Sequence, residues 1–148
     1  MTNIGGARED LAAKLAAIPG ATEITERRDG LWMSAPQLDV EAMARAMNAL
    51  GYRLGTMTGV AAEDGETTVI YHYGRPPVAV NIKTRTRGGA LPSVALIARP
   101  ASWAERELHD FFAVTFPGHP NLAPLLRPAQ LTNGFFRDAG SELPAPAE

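Results

Sequence analysis

Thr67-Thr68-Val69-Ile70-Tyr71-His72-Tyr73, then Gly74-Arg75-Pro76-Pro77, then Val78-Ala79-Val80-Asn81-Ile82-Lys83-Thr84-Arg85-Thr86-Arg87: this stretch reads as two strands about a turn. β-Branched and aromatic residues fill both runs, and the Gly- and Pro-containing break divides them. In the first run Ile70 shares a face with His72, while Val69 goes with Tyr71 and Tyr73. In the second, Val78, Val80 and Ile82 point one way and Asn81, Lys83, Arg85 and Arg87 the other. One face is therefore expected in the core, and the other is expected to be wet and basic. Gly88-Gly89 closes the run. Upstream, Tyr52 to Ala62 forms another apolar-rich stretch, joined through Glu63-Asp64-Gly65-Glu66, whose Asp-Gly pair is a hairpin signature. The three runs make an antiparallel meander.

Working toward the N-terminus, a helix is expected over about Leu38 to Leu50. Val40, Met43, Met47 and Leu50 form its apolar stripe, and Gly51 stands as a natural C′ residue. A Met stripe at this spacing is read as core and not as a cofactor box. Ala21 to Met33 reads as extended, and Arg27-Arg28-Asp29-Gly30 breaks it into two short strands. Before it, Leu11, Leu15 and Ile18 recur at helical spacing over Arg8 to Ile18, and Pro19-Gly20 stops the helix.

Toward the C-terminus, Val94-Ala95-Leu96-Ile97 suits either a fourth strand or a short helical turn. A third helix is expected over about 102–113, with Ser102 as N-cap, Glu105 in the first turn, and Ala104, Leu108, Phe111 and Phe112 on its apolar face. After Phe116 the apolar residues lose their period. They read as an extended arm held onto a surface, ending in a tail over Leu143 to Glu148. The expected architecture is α+β: a single domain with a mainly antiparallel sheet packed by helices over residues 1–116, then an arm and tail over 117–148.

Composition narrows the function. The 148 residues are 45% hydrophobic and 20% charged, which suits one soluble globular domain. Fourteen basic and sixteen acidic side chains leave a net charge of −2, which argues against coating nucleic acid or an anionic membrane. Only Lys14 and Lys83 are lysines. The arginine bias suits fixed carboxylate pairs at an interface, and a GC-rich genome would also produce it. The absence of cysteine removes disulfides, thiolate nucleophiles and cysteine-ligated zinc or iron–sulfur sites from this chain. No basic segment precedes a long apolar run at the N-terminus, and no stretch is long and apolar enough to span a bilayer. Any membrane link is expected to pass through partners.

Nucleotide-binding glycine loops are missing. The densest polar cluster is Glu105-Arg106-Glu107-Leu108-His109-Asp110, where Glu105 and His109, and Arg106 and Asp110, stand four residues apart on shared helix faces. Ordinary ion pairs are the simplest reading. A metal site would need three or four ligands, with only His72 and His119 as further histidines. Paired carboxylates for acid–base work lack a neighbouring nucleophile or oxyanion site. A docking role is favoured instead, since Trp103 leads the helix and Arg106 and Glu107 stand clear of the apolar stripe. His72 is read as a hydrogen-bonded strand histidine and His119 as a turn residue whose ring reaches the backbone. Lys83, Arg85 and Arg87 form a solvated face or, in a weaker reading, an RNA-binding row.

Ala101-Ser102-Trp103-Ala104-Glu105-Arg106-Glu107-Leu108-His109-Asp110-Phe111-Phe112, followed by Phe116-Pro117-Gly118-His119-Pro120-Asn121-Leu122, resembles the signature of the thirty-kilodalton subunit family of NADH:quinone oxidoreductase, respiratory complex I. The same domain occurs in group-four membrane-bound nickel–iron hydrogenases and formate hydrogenlyases. The chain departs from the family pattern at Phe112-Ala113-Val114, and only Arg137 and Asp138 remain of the closing motif. The resemblance implies a structural subunit without a cofactor, packed on the forty-nine-kilodalton-type or nickel–iron-type large subunit beside an iron–sulfur subunit. It implies a hetero-oligomer, peripheral on the cytoplasmic side of the inner (plasma) membrane, with no nucleic-acid partner. Its signature residues here are Trp103, Glu105, Arg106, Glu107, Asp110, Gly118, His119, Pro120, Arg137 and Asp138. The rival expectation is a stand-alone metal-binding protein or hydrolase built on Glu105, His109, His119 and His72.

Overall fold

The computed structural model describes residues 4–126, 132–134 and 136. Its elements run α1 (Ile4–Ala16), β1 (Glu23–Arg27), β2 (Gly30–Ser34), α2 (Val40–Ala49), β3 (Arg53–Ala61), β4 (Thr67–Arg75), β5 (Val78–Arg85) and α3 (Ala101–Phe112). The class is α+β, and the five strands form one sheet in the order β1-β2-β5-β4-β3. Three neighbouring pairs are antiparallel hairpins, as the turn residues dictate. The fourth, β2 with β5, is parallel, with Leu31 opposite Val80 and Met33 opposite Ile82. That long-range pairing joins the N-terminal hairpin to the meander, and α2 lies in the crossover between them.

The core follows from strand alternation. Leu31 and Met33, Val80 and Ile82, and Val69, Tyr71 and Tyr73 point to one face, where they pack with Leu11 and Leu15 of α1 and with Met43 and Met47 of α2. Asp39 caps α2 by accepting from the Ala42 amide at 3.0 Å. A bulge at Gly55 in β3 switches the inward residue from Leu54 to Met57. At Gly59 the same strand meets α3 so closely that a Cβ would stand 2.7 Å from Leu108 Cδ2 and 2.9 Å from two Phe112 ring carbons. Glycine is therefore what lets the third helix seat on the sheet.

Several expectations change at this level. Asn81 is on the outer face but is buried, because His72 and Trp32 stand opposite it in the neighbouring strands. Its Oδ1 lies 2.7 Å from His72 Nδ1, and Thr58 Oγ1 lies 2.8 Å from Nε2, so the strand histidine is held on both ring nitrogens as expected. The basic row is dispersed: Arg85 pairs with Asp64, and Arg87 donates to the Leu38 carbonyl and the Gln37 amide oxygen, leaving Lys83 exposed. β5 ends at Arg85, short of the expected Arg87. Residues 94–97 form turns and no strand.

Candidate functional site

The quoted signature folds as α3 and the irregular chain that follows it. The helix begins one residue before the expected start. Its N-cap is Pro100, with no side-chain cap bond, and Ser102 sits inside the first turn. Ala101, Ala104 and Leu108 are buried, and Glu105 lies among them on the same face. Glu105 is therefore no exposed first-turn acid of the kind that complements a helix dipole; it is fully buried.

What compensates that burial is a set of donors from outside the helix. The Val94 amide donates to Glu105 Oε1 at 2.7 Å, and the Ser93 hydroxyl donates to Oε2 at 2.7 Å. His119 Nε2 lies 3.8 Å from Oε2. Burial pushes the Glu105 carboxyl above its usual range, while the Ser93 and Val94 bonds and His119 oppose that shift. Tyr71 lies fully buried within reach of the same charge, and desolvation, then Glu105, push its phenol up.

His119 is held by its own neighbours. The Asn121 amide donates to Nδ1 at 2.9 Å, so Nδ1 is the acceptor nitrogen of the ring. Nε2 then carries the hydrogen and donates to the Ser102 carbonyl at 3.0 Å. The ring thus reaches a backbone partner from a turn, as its Gly118-His119-Pro120 setting suggests. Gly118 adopts φ +87°, a conformation other residues rarely take, with open space around the missing Cβ. Backbone geometry, and not crowding, is what calls for glycine there.

Arg106 and Asp110 do share a helix face, but they do not pair. Arg106 donates from Nε to the Ala123 carbonyl and from Nη2 to the Pro124 carbonyl, both at 2.9 Å. Asp110 Oδ2 accepts from the amides of Leu125 and Leu126, both at 2.8 Å. One cation and one anion a turn apart thus grip four successive residues by their backbone groups. Further along, the Gly134 amide bonds the Asp110 carbonyl at 2.7 Å, and the Phe136 amide bonds the Phe111 carbonyl at 2.9 Å. The Phe136 ring packs on Phe111 and Phe112, with centroids 4.6 and 5.8 Å apart.

The expected Glu105–His109 pair is replaced as well. His109 Nδ1 lies 2.9 Å from the Val114 carbonyl, just past the end of the helix. Of Glu105, His109, His119 and His72, the structure brings only Glu105 and His119 together. His72 sits on the outer face of the sheet. Among the described residues no three His, Asp or Glu side chains gather as a metal group. Trp103 and Glu107 remain exposed on the outer side of α3. Arg137 and Asp138 lie outside the described residues. Ser93 and the backbone of 123–126 were missed in sequence. Glu105 had a local signal, since it falls between Ala101 and Leu108 on the apolar stripe.

No helix among the described residues is long and apolar enough to cross a membrane. Residues 33–138 match the family described as the respiratory-chain NADH dehydrogenase 30 Kd subunit. The chain is 45% identical over 51 residues to the C-type subunit of NADH-quinone oxidoreductase from Chlorobium phaeobacteroides, covering 34% of this chain and 31% of that protein. It is 30% identical over 80 residues to the corresponding protein of Chloroherpeton thalassium, covering 51% of this chain and 33% of that one. The chain thus spans at most about a third of these curated relatives. Among solved structures it is similar to a chain of the membrane-bound sulfane sulfur reductase, an archaeal respiratory membrane complex. There the TM-score is 0.67 at 27% identity, over 77% of this chain and 72% of that chain. A trypsin-resistant fragment of Nqo5 shares the fold with a TM-score of 0.63 at 23% identity, over 77% of this chain and 98% of the fragment. With more than half of its length inside the family match, the chain belongs to the 30 kDa subunit family of the respiratory-chain NADH dehydrogenase.

Proposed function

We propose that the chain is a cofactor-free structural and assembly subunit of a membrane-bound, complex I-like oxidoreductase. The complex is an NADH:quinone oxidoreductase or a nickel–iron hydrogenase of related build. The chain docks on the large subunit that shapes the quinone site or carries the nickel–iron centre, beside an iron–sulfur subunit, and reaches the cytoplasmic membrane face through these partners. Residues 1–116 act as the folded body and 117–148 as the arm, with Arg137 and Asp138 anchoring its end.

The observation that carries this reading is where the signature side chains go. Glu105, Arg106, Asp110 and His119 converge on backbone groups of their own chain and not on a shared cavity. A catalytic constellation aims polar groups at a place where a substrate atom sits. This one uses them to fasten residues 93–94 and 119–126 around a helix, which suits a rigid docking body. The rival built on Glu105, His109, His119 and His72 needs four groups to converge, and only two adjoin.

The test is affinity purification of the tagged chain from solubilised membranes of its source. Recovery of a quinone-site or nickel–iron large subunit with iron–sulfur partners is the expected result, and a nickel assay on the sample separates the two complexes. Recovery of the chain alone, as a monomer, would overturn the proposal.

A further inference from the structure

Because α3 directs most of its polar side chains to its own chain, one stripe of the helix is left bare. Trp103, Glu107 and Phe111 recur every four residues and share that stripe. Trp103 is 68% exposed. Phe136, 47% exposed, packs on the Phe111 ring and extends the stripe past the helix end. Leu126, 59% exposed, borders it where Asp110 holds its amide.

The charge on this stripe is one-sided. Arg106, the cation next to Glu107, is turned away to the carbonyls of Ala123 and Pro124. Glu107 forms no ion pair among the described residues. The surface therefore offers an indole, a carboxylate and two phenyl rings. Exposed aromatic anchors of this kind are where interface energy concentrates, and a carboxylate among them is costly to cover unless a cation meets it.

We infer that this stripe docks an apolar segment of a partner polypeptide that carries one arginine or lysine between hydrophobic side chains, the cation meeting Glu107. The inference rests on the assembly reading above and names the chemistry of the partner surface. A membrane occupant is disfavoured, because the carboxylate faces the anionic headgroups that would flank the aromatic rings. A second copy of the chain is disfavoured too, because a two-fold contact through this stripe sets Glu107 near its own equivalent.

The test is the same purification, carried out with Trp103→Ala, Glu107→Arg and, as a control on the outer sheet face, Lys83→Ala. Far-UV circular dichroism of each purified chain verifies folding, which truncation of an exposed side chain leaves intact. The expected result is at least a tenfold loss of recovered large subunit for Trp103→Ala and for Glu107→Arg, with Lys83→Ala unchanged. Wild-type recovery with undiminished yield from the first two variants overturns the inference while leaving the assembly reading standing. Failure of the wild type to recover any partner overturns both. A concentration-dependent dimer of the wild type that Trp103→Ala abolishes identifies a second copy as the occupant. Binding to phosphatidylglycerol vesicles that Trp103→Ala abolishes identifies lipid. Either result overturns the inference.

Discussion

Replacing Glu105 is the most informative perturbation of the fold, because the carboxylate joins three segments. Glu105→Ala removes the acceptor of the Val94 amide, a buried group with no water to replace it, at a cost of about 1–3 kcal/mol. It also leaves a cavity where a fully buried side chain stood, for which large-to-small core changes cost about 2–5 kcal/mol. Relief from burying a charge offsets part of this, so a net loss of about 2–4 kcal/mol is expected. Glu105→Gln keeps the shape, keeps an acceptor for Val94 and gives an NH₂ group to Ser93 Oγ, and should cost about 1 kcal/mol or less. The pH dependence separates the two further. The folded-state pKa of Glu105 is raised above its unfolded value near 4.5. The protonated form therefore favours folding below pH 4.5, and that contribution is lost as pH rises through the folded value. Glu105→Gln cannot titrate, so wild type should lose stability relative to it across this window and then run parallel. Urea unfolding at several pH values, with hydrogen exchange at the Val94 amide, reads all of this. An alanine variant within 0.5 kcal/mol of wild type, or a glutamine variant as unstable as the alanine one, would refute the reasoning; that threshold is roughly the size of an ordinary surface substitution.

Arg106→Ala should cost the clamp about 1–2 kcal/mol and raise amide exchange at Leu125 and Leu126 while the domain stays folded, with lower recovery of the assembled complex. Unchanged exchange would mean that Asp110 alone holds the segment. Gly59→Ala should push α3 off β3 at about 1–3 kcal/mol, lowering the thermal midpoint by roughly 2–10 °C in a scanning fluorescence or calorimetric melt. A midpoint equal to wild type would show that Leu108 and Phe112 yield freely. Asp39→Ala should remove the α2 cap for about 1 kcal/mol, visible as a lower urea midpoint with unchanged slope.

Local patterning made the elements legible. The hairpins were legible because Asp64-Gly65 and Pro76-Pro77 mark their turns, and α2 because its apolar stripe ends at Gly51. The parallel pairing of β2 with β5 was not legible, since no local signal links residues 31–34 to 80–83. The same limit explains Asn81: its alternation was read correctly, but its burial comes from residues of neighbouring strands. The fate of the signature helix shows this most clearly. Spacing put Arg106 with Asp110 and Glu105 with His109, and each pair does share a face. Backbone groups from 93–94 and 123–126 compete for those side chains, and buried amides and carbonyls lose more by remaining unpaired than surface ions do. Trp103 and Glu107, which no such segment covers, remain as the sequence suggested.

Removal of the chain tests the central claim most directly. Membranes from a source strain lacking it would be resolved on native gels and probed for the large subunit and for oxidoreductase activity. The account predicts that both disappear from the assembled band and return when the wild-type chain is supplied. A fully assembled, active complex in the absence of the chain would contradict it.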